Sequence, residues 1–173
     1  MEKGVREWTF DYQFTADDFK LTKQTGGSAF VHNGKNVAFS IDINDDLLEN
    51  PCYGIRAIFD PELSWLDPST DFEKAFKIAK MEFDFMEVFA REVRKSVLED
   101  TEMSDLPEEE YQIDYFRLLI LEPLQAERQS RWDDIFAEKG YFDTAEKMIE
   151  VQHMIRAELD QLNEFQYAAR PNL

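Results

Sequence analysis

Cysteine is almost missing from this chain. Cys52 stands alone among 173 residues, so no internal disulfide can form, and a reducing cytoplasm is the expected setting. Histidine is nearly as scarce, with His32 and His153 only. Neither carries a sequence cue tying it to a serine or to Cys52, and no Gly-x-Ser-x-Gly elbow occurs. Six glycines and six prolines leave little material for long irregular loops. The pair in "QTGGSAF" lacks the Gly-Lys-Ser/Thr of a phosphate-binding loop and reads as a turn.

Long apolar runs are also missing. The densest, "YFRLLILEPL", falls far short of the ~20 residues that span a bilayer. The opening "MEKGVREWTF" has no signal-peptide core, so a soluble cytoplasmic protein is expected. Basic residues are outnumbered, 19 against 37 acids, for a formal net charge of -18. Such a field repels phosphate backbones and anionic lipid, which argues against direct binding to nucleic acid or membrane.

What the chain does hold is apolar and aromatic mass. Hydrophobic residues make up 43%, with 15 phenylalanines, enough for one packed core rather than a disordered chain. A single α+β domain over residues 1–173 is the expectation, with a β-sheet part over 1–60 and a helical part over 61–173.

The β part reads as an antiparallel sheet of four to five strands. In "REWTFDYQF", Trp8, Phe10, Tyr12 and Phe14 alternate as on one strand face, and "FKLTKQ" is a weaker strand. "SAFVHNGKNVAFSIDI" reads as a hairpin turning at Asn33-Gly34, and "CYGIRAIF" places Tyr53, Ile55, Ala57 and Phe59 on one face.

The helical part opens with a long Phe-rich helix expected to cover the sheet. Thr70 and Glu73 form a capping box, and Phe72, Phe76, Ala79, Phe83, Met86, Ala90, Val93 and Val97 recur at helical spacing. Arg94 and Lys95 lie where they would complement the end of the helix dipole. About three helices follow, near 106–121 (where Tyr111, Ile113 and Tyr115 also alternate as on a strand), 124–139 and 144–168, with Pro123 separating the first two and Asp143 or Thr144 capping the last.

Two patterns suggest metal and fail. "DINDDL" starts like a calcium loop, but Leu47 stands where the turn glycine belongs and Tyr53 where the bidentate glutamate belongs. "EVQH" is one half-site of a di-iron bundle, and no second Glu-x-x-His accompanies it. No catalytic residue, metal or cofactor is therefore assigned.

Two surfaces remain. Met148, Ile155, Leu159 and Leu162 form a seam on the last helix, fitted either to pack within the chain or to make a homodimer. The second surface is "LEDTEMSDLPEEE", residues 98–110, with seven acids and no base. Asp105 reads as a helix N-cap, with Glu108, Glu109 and Glu110 in the favoured first turn. Glu99, Asp100, Glu102 and the following Asp114 have no such local role in the sequence, and the cluster repels itself.

In composition the chain resembles acidic inhibitor proteins: DNA mimics of the anti-restriction and anti-CRISPR kind, and immunity proteins that neutralise nuclease toxins. The likeness implies a non-enzymatic module whose carboxylates, Glu99, Asp100, Glu102, Asp105, Glu108, Glu109, Glu110 and Asp114, meet a basic nuclease or DNA-binding protein. An oligomeric assembly protein is the second expectation. A carboxylate and metal-dependent hydrolase is the third, since 37 acids will supply some close pair by chance.

Overall fold

The computed structural model describes residues 4–20, 35–137 and 142–168. The architecture is α+β. Among the described residues three strands form one antiparallel sheet: β1 (Arg6–Glu7), β2 (Lys35–Ile43) and β3 (Ile55–Leu66), in the order β1-β3-β2. Arg6 and Phe39 both pair with Phe59, so β3 is the central strand. The Asn33-Gly34 turn, His32 and most of "FKLTKQ" lie outside the described residues.

The expected alternation holds on β3, where Ile55, Ala57 and Phe59 are buried. It fails at the N-terminus. Only Arg6 and Glu7 are strand, although the Trp8 amide still donates to the Ala57 carbonyl at 3.0 Å. The chain then turns, with the Tyr12 amide donating to the Thr9 carbonyl at 3.1 Å. Tyr12 and Phe14 enter the core while Phe10 is left 58% exposed. Alternating aromatics here mark a turn over a core edge, not one strand face.

The β2–β3 ladder shifts register between Asn36, paired with Trp65, and Ala38, paired with Asp60, and the β3 stretch left between them begins with Pro61, which has no ladder donor. Ser64, fully buried, repairs the gap. Its hydroxyl accepts from the Ala38 amide at 2.9 Å and donates to the Asp60 carbonyl at 2.7 Å.

The connection from β2 to β3 holds the aborted calcium pattern. Asn44 caps a 3₁₀ turn (Asp45–Leu47) by accepting from the Asp46 amide, and Asn50 caps the one-turn helix α1 (Pro51–Gly54) by accepting from the Cys52 amide. Tyr53 and Gly54 thus belong to a helical turn rather than to the strand. A Cβ on Gly54 would fall 2.4 Å from the Leu47 backbone, so only glycine fits.

Helix α2 (Phe72–Glu99) organises the rest. Its cap is Asp71, whose carboxylate accepts from the Lys74 amide at 3.1 Å, and not Thr70. Ala79, Phe83, Met86, Ala90 and Val93 cover the sheet as their spacing implied, with Phe83 stacked on Phe39 at 5.1 Å between ring centroids. Ile78, Met81, Phe85 and Val88 form a second apolar face. That face packs on α6 (Ala145–Gln161) through Val151, Ile155 and Leu159. A helix buried on both sides is the axis of the molecule.

After the one-turn α3 (Thr101–Ser104), one helical run occupies 109–137. It comprises α4 (Glu109–Tyr115), a π turn (Phe116–Leu121), α5 (Glu122–Trp132) and a second π turn (Asp133–Ala137). Pro123 therefore does not break it. The Glu122 amide donates five residues back, to Arg117, and this wider turn relieves the clash a proline ring makes with the carbonyl four residues behind. Thr144 caps α6 by accepting from the Lys147 amide. The helix ends at Gln161, and a 3₁₀ turn (Asn163–Phe165) follows, so the expected extent to 168 is too long.

Candidate functional site

The acidic segment divides differently from its sequence appearance. Asp100, half-buried, caps α3: one carboxylate oxygen accepts from the Met103 amide at 2.9 Å. Its other oxygen accepts from the Tyr115 hydroxyl at 3.2 Å, which ties α3 to α4. Asp100 thus has a local role. Asp105 is not an N-cap; it lies at the C-terminal end of α3, exposed. Glu108 holds the N-cap position of α4 without a side-chain cap bond. The Gln112 side chain instead donates from Nε2 to the Leu106 carbonyl at 2.9 Å and closes that turn, while its backbone N–H donates to the Glu108 carbonyl at 3.2 Å.

Glu102 shares Tyr115 with Asp100, lying 3.3 Å from the same hydroxyl. A phenol has one hydrogen, so it serves one carboxylate at a time and leaves the other's charge in place. Burial, and then the two carboxylates, push the Tyr115 hydroxyl up to about 12. Glu99, Glu102, Asp105, Glu108, Glu109, Glu110 and Asp114 are exposed, and Asp114 accepts from Arg117, the only base in residues 98–122, at 3.2 Å.

Large apolar side chains are exposed within the same segment. Tyr111 and Ile113 lie on α4, Leu118 and Leu119 on the π turn, and Leu119 is 61% exposed. Phe116 and Ile120 of that turn point into the core, so the helix is anchored by one face and presents the other. Position in the acid run alone could not separate these faces, because the π turn shifts the helical register.

The seam on α6 is closed inside the chain. Ile155 and Leu159 are buried against α2, and Met148 and Leu162 pack on the same cluster. Of the two uses weighed for the seam, this packing is the intrachain one.

A concave region lies between α2 and α6. It consists of adjoining cavities of about 350 Å³ and 320 Å³ that share Lys80, Asp84 and Gln152. Asp84 accepts from Trp8 Nε1 at 2.8 Å and from Lys80. Burial pushes its carboxyl up, against the pull of Lys80. His153 and Arg156 line the outer cavity, and Arg156 lies 3.9 Å from the centroid of the Phe10 ring. No sequence motif marks this grouping, which joins residues about seventy positions apart.

Other chemistry-bearing residues have structural partners. Asp42 accepts from Arg56 Nε at 2.7 Å, and Glu150 pairs with Lys147 at 3.4 Å. Cys52 is half-buried, and burial pushes its thiol up while nearby Arg94 pulls it down. Among the described residues no three histidine, cysteine or carboxylate side chains are grouped to hold a metal ion, and no helix is long and apolar enough to cross a membrane. No protein-family model, curated protein or solved structure matches the chain.

Proposed function

We propose that this chain is a non-enzymatic, acidic protein-binding module. Its 98–122 segment docks on the basic, nucleic-acid-binding surface of a partner protein, a nuclease or another DNA-binding protein, and inhibits it by occupying that surface. The observation that carries the reading is the pairing of exposed carboxylates with exposed Tyr111, Ile113, Leu118 and Leu119 on one anchored helical segment.

Each part contributes something different. Carboxylates steer the encounter and release counterions from a basic cleft. Apolar side chains supply the area that slows dissociation once the surfaces meet. Four large apolar residues exposed within nine positions of one helical run concentrate that area beside the carboxylates. Asp100, tied to Met103 and Tyr115, sets the angle between α3 and α4 and is a positioning residue in this scheme.

A homodimer through this face is disfavoured. A two-fold interface places the same patch against itself, and seven carboxylates on each side would repel. The test is affinity capture from the native host, identification of the captured protein, and repetition with Glu99, Glu102, Glu108, Glu109 and Glu110 changed to Gln. The proposal requires a basic partner that is held at low salt, released at high salt, and lost from the variant. Equal capture by the variant overturns it.

A further inference from the structure

We propose that the cleft between α2 and α6 binds a small amphipathic organic anion: one carboxylate on an apolar body. This is independent of the acidic face and lies on other elements. The two adjoining cavities, about 350 Å³ and 320 Å³, fall in the size range of small-molecule sites.

The lining is graded. Met81, Ala145, Met148 and Ile149 make one end apolar, and Ile149 is left 51% exposed there. Toward the other end come Lys80, Arg156 and His153. Lys77 stands at the rim of the apolar cavity, so three cationic side chains and one carboxylate, Asp84, line the cleft of a chain whose net charge is -18. Lys77 is also paired, with Glu73 at 2.7 Å, but Glu73 is not part of the lining, so the wall that a ligand would touch carries more cationic than anionic groups.

The cations are held in place. Lys80 Nζ lies 5.4 Å from the Trp8 ring centroid and 5.9 Å from that of Phe10, and Arg156 lies over Phe10. Asp84 is engaged by Lys80 and by Trp8 Nε1, so its charge is answered within the wall of the cleft. An ammonium has three donors and a guanidinium five, so the bonds from Lys80 to Asp84 and from Arg156 Nε to Asp160 at 3.3 Å leave donors for a ligand carboxylate. A cationic ligand is disfavoured, because Lys80 and Arg156 already occupy the aromatic faces that would receive it.

The test is titration of the full chain with decanoate, decanol and acetate, followed by calorimetry and by backbone amide shifts. Decanoate is expected to bind at least about tenfold tighter than either control, because only it offers both the charge and the apolar body. Arg156→Gln is expected to weaken decanoate about fivefold, in keeping with an exposed ion pair. Ile149→Glu is expected to abolish binding by placing a carboxylate at the apolar end. Both positions are exposed, and thermal melts confirm that the variants fold. For the unaltered chain, decanoate is expected to shift the amides of Met148, Ile149, Gln152 and Arg156. The proposal is overturned if decanol or acetate binds as well as decanoate. It is equally overturned if both variants bind normally, or if the shifts map to 109–121.

Discussion

Arg94 donates to Glu87 from Nη1 at 2.9 Å and from Nη2 at 3.4 Å, and neither side chain has more than 1% of its surface exposed. Arg91 donates to the same Glu87 oxygen at 2.9 Å. Two guanidiniums thus share one buried carboxylate. The remaining positive charge faces backbone carbonyls: Arg94 donates to Ile55 and Phe165, and Arg91 to Leu159. Leu159 lies in the last turn of α6, whose C-terminal end favours a cation. The cluster therefore joins α2, β3 and the C-terminal segment.

This arrangement orders two substitutions. Arg94→Met removes one cation and leaves Glu87 paired with Arg91, whereas Glu87→Gln leaves two buried guanidiniums without a counter-charge. Breaking a buried pair costs ~3–5 kcal/mol, and Glu87→Gln is expected at or above the top of that range with Arg94→Met below it. Urea unfolding of both variants measures the order. A milder effect for Glu87→Gln would contradict the shared-carboxylate account.

Gly54→Ala is expected to destabilise the chain, since its methyl would meet the Leu47 backbone at 2.4 Å and the loop must move to admit it. Overpacking of this kind costs about 1–3 kcal/mol, and the midpoint of denaturant unfolding should fall accordingly. An unchanged midpoint would mean that the β2–β3 connection is not closed as described.

The acids of the 98–110 segment should separate in stability measurements. Asp100→Ala removes a cap and the tie to Tyr115, and a loss of about 1 kcal/mol or more is expected. Glu108, Glu109 and Glu110, each changed singly to Gln, are expected to stay within about 0.5 kcal/mol of the unaltered chain. Thermal melts at one ionic strength compare them. Equal losses at all four positions would remove the distinction between a structural aspartate and surface glutamates.

Asp84 gives a pH dependence of definite sign. Its folded pKa is raised above the ordinary value of 3.8, chiefly by burial. Between those two values the folded chain binds the proton more tightly than the unfolded one, so this group's contribution falls as pH rises through the window. Asp84→Asn lacks that decline. The stability difference between the unaltered chain and Asp84→Asn, followed upward from pH 3.8, should therefore shift steadily toward the variant. A shift in the other direction would place the Lys80 pairing above burial.

The long helix and the central strand are legible in the amino-acid sequence, whereas the division of the helices after the long one is not. The spacing of Ala79, Phe83, Met86, Ala90 and Val93 marked the sheet-facing side of α2, and the alternation of Ile55, Ala57 and Phe59 marked the central strand. What stayed hidden was non-local. The second face of α2 looks like ordinary apolar filling until α6 covers it. Arg94 read as a dipole partner because it stands near the helix end, yet it turns inward. The cue was Glu87, Arg91 and Arg94 at helical spacing among Phe89, Ala90 and Val93, charges on a stripe that is otherwise buried. Pro123 read as a break because a single sequence does not reveal that a π turn will accommodate it. Of the candidate site, the carboxylates were visible; the exposure of Leu118 and Leu119 was not, since it depends on that turn.

The most direct measurement of the central proposal is a displacement assay with the captured partner, its own nucleic acid bound and labelled. The account predicts that the chain releases the nucleic acid and that release weakens as salt is raised. Release should also weaken separately when Glu99, Glu102 and Glu108–Glu110 become Gln and when Leu118 and Leu119 become Ser. A partner that holds the chain and its nucleic acid together, with no displacement at any salt, would contradict it.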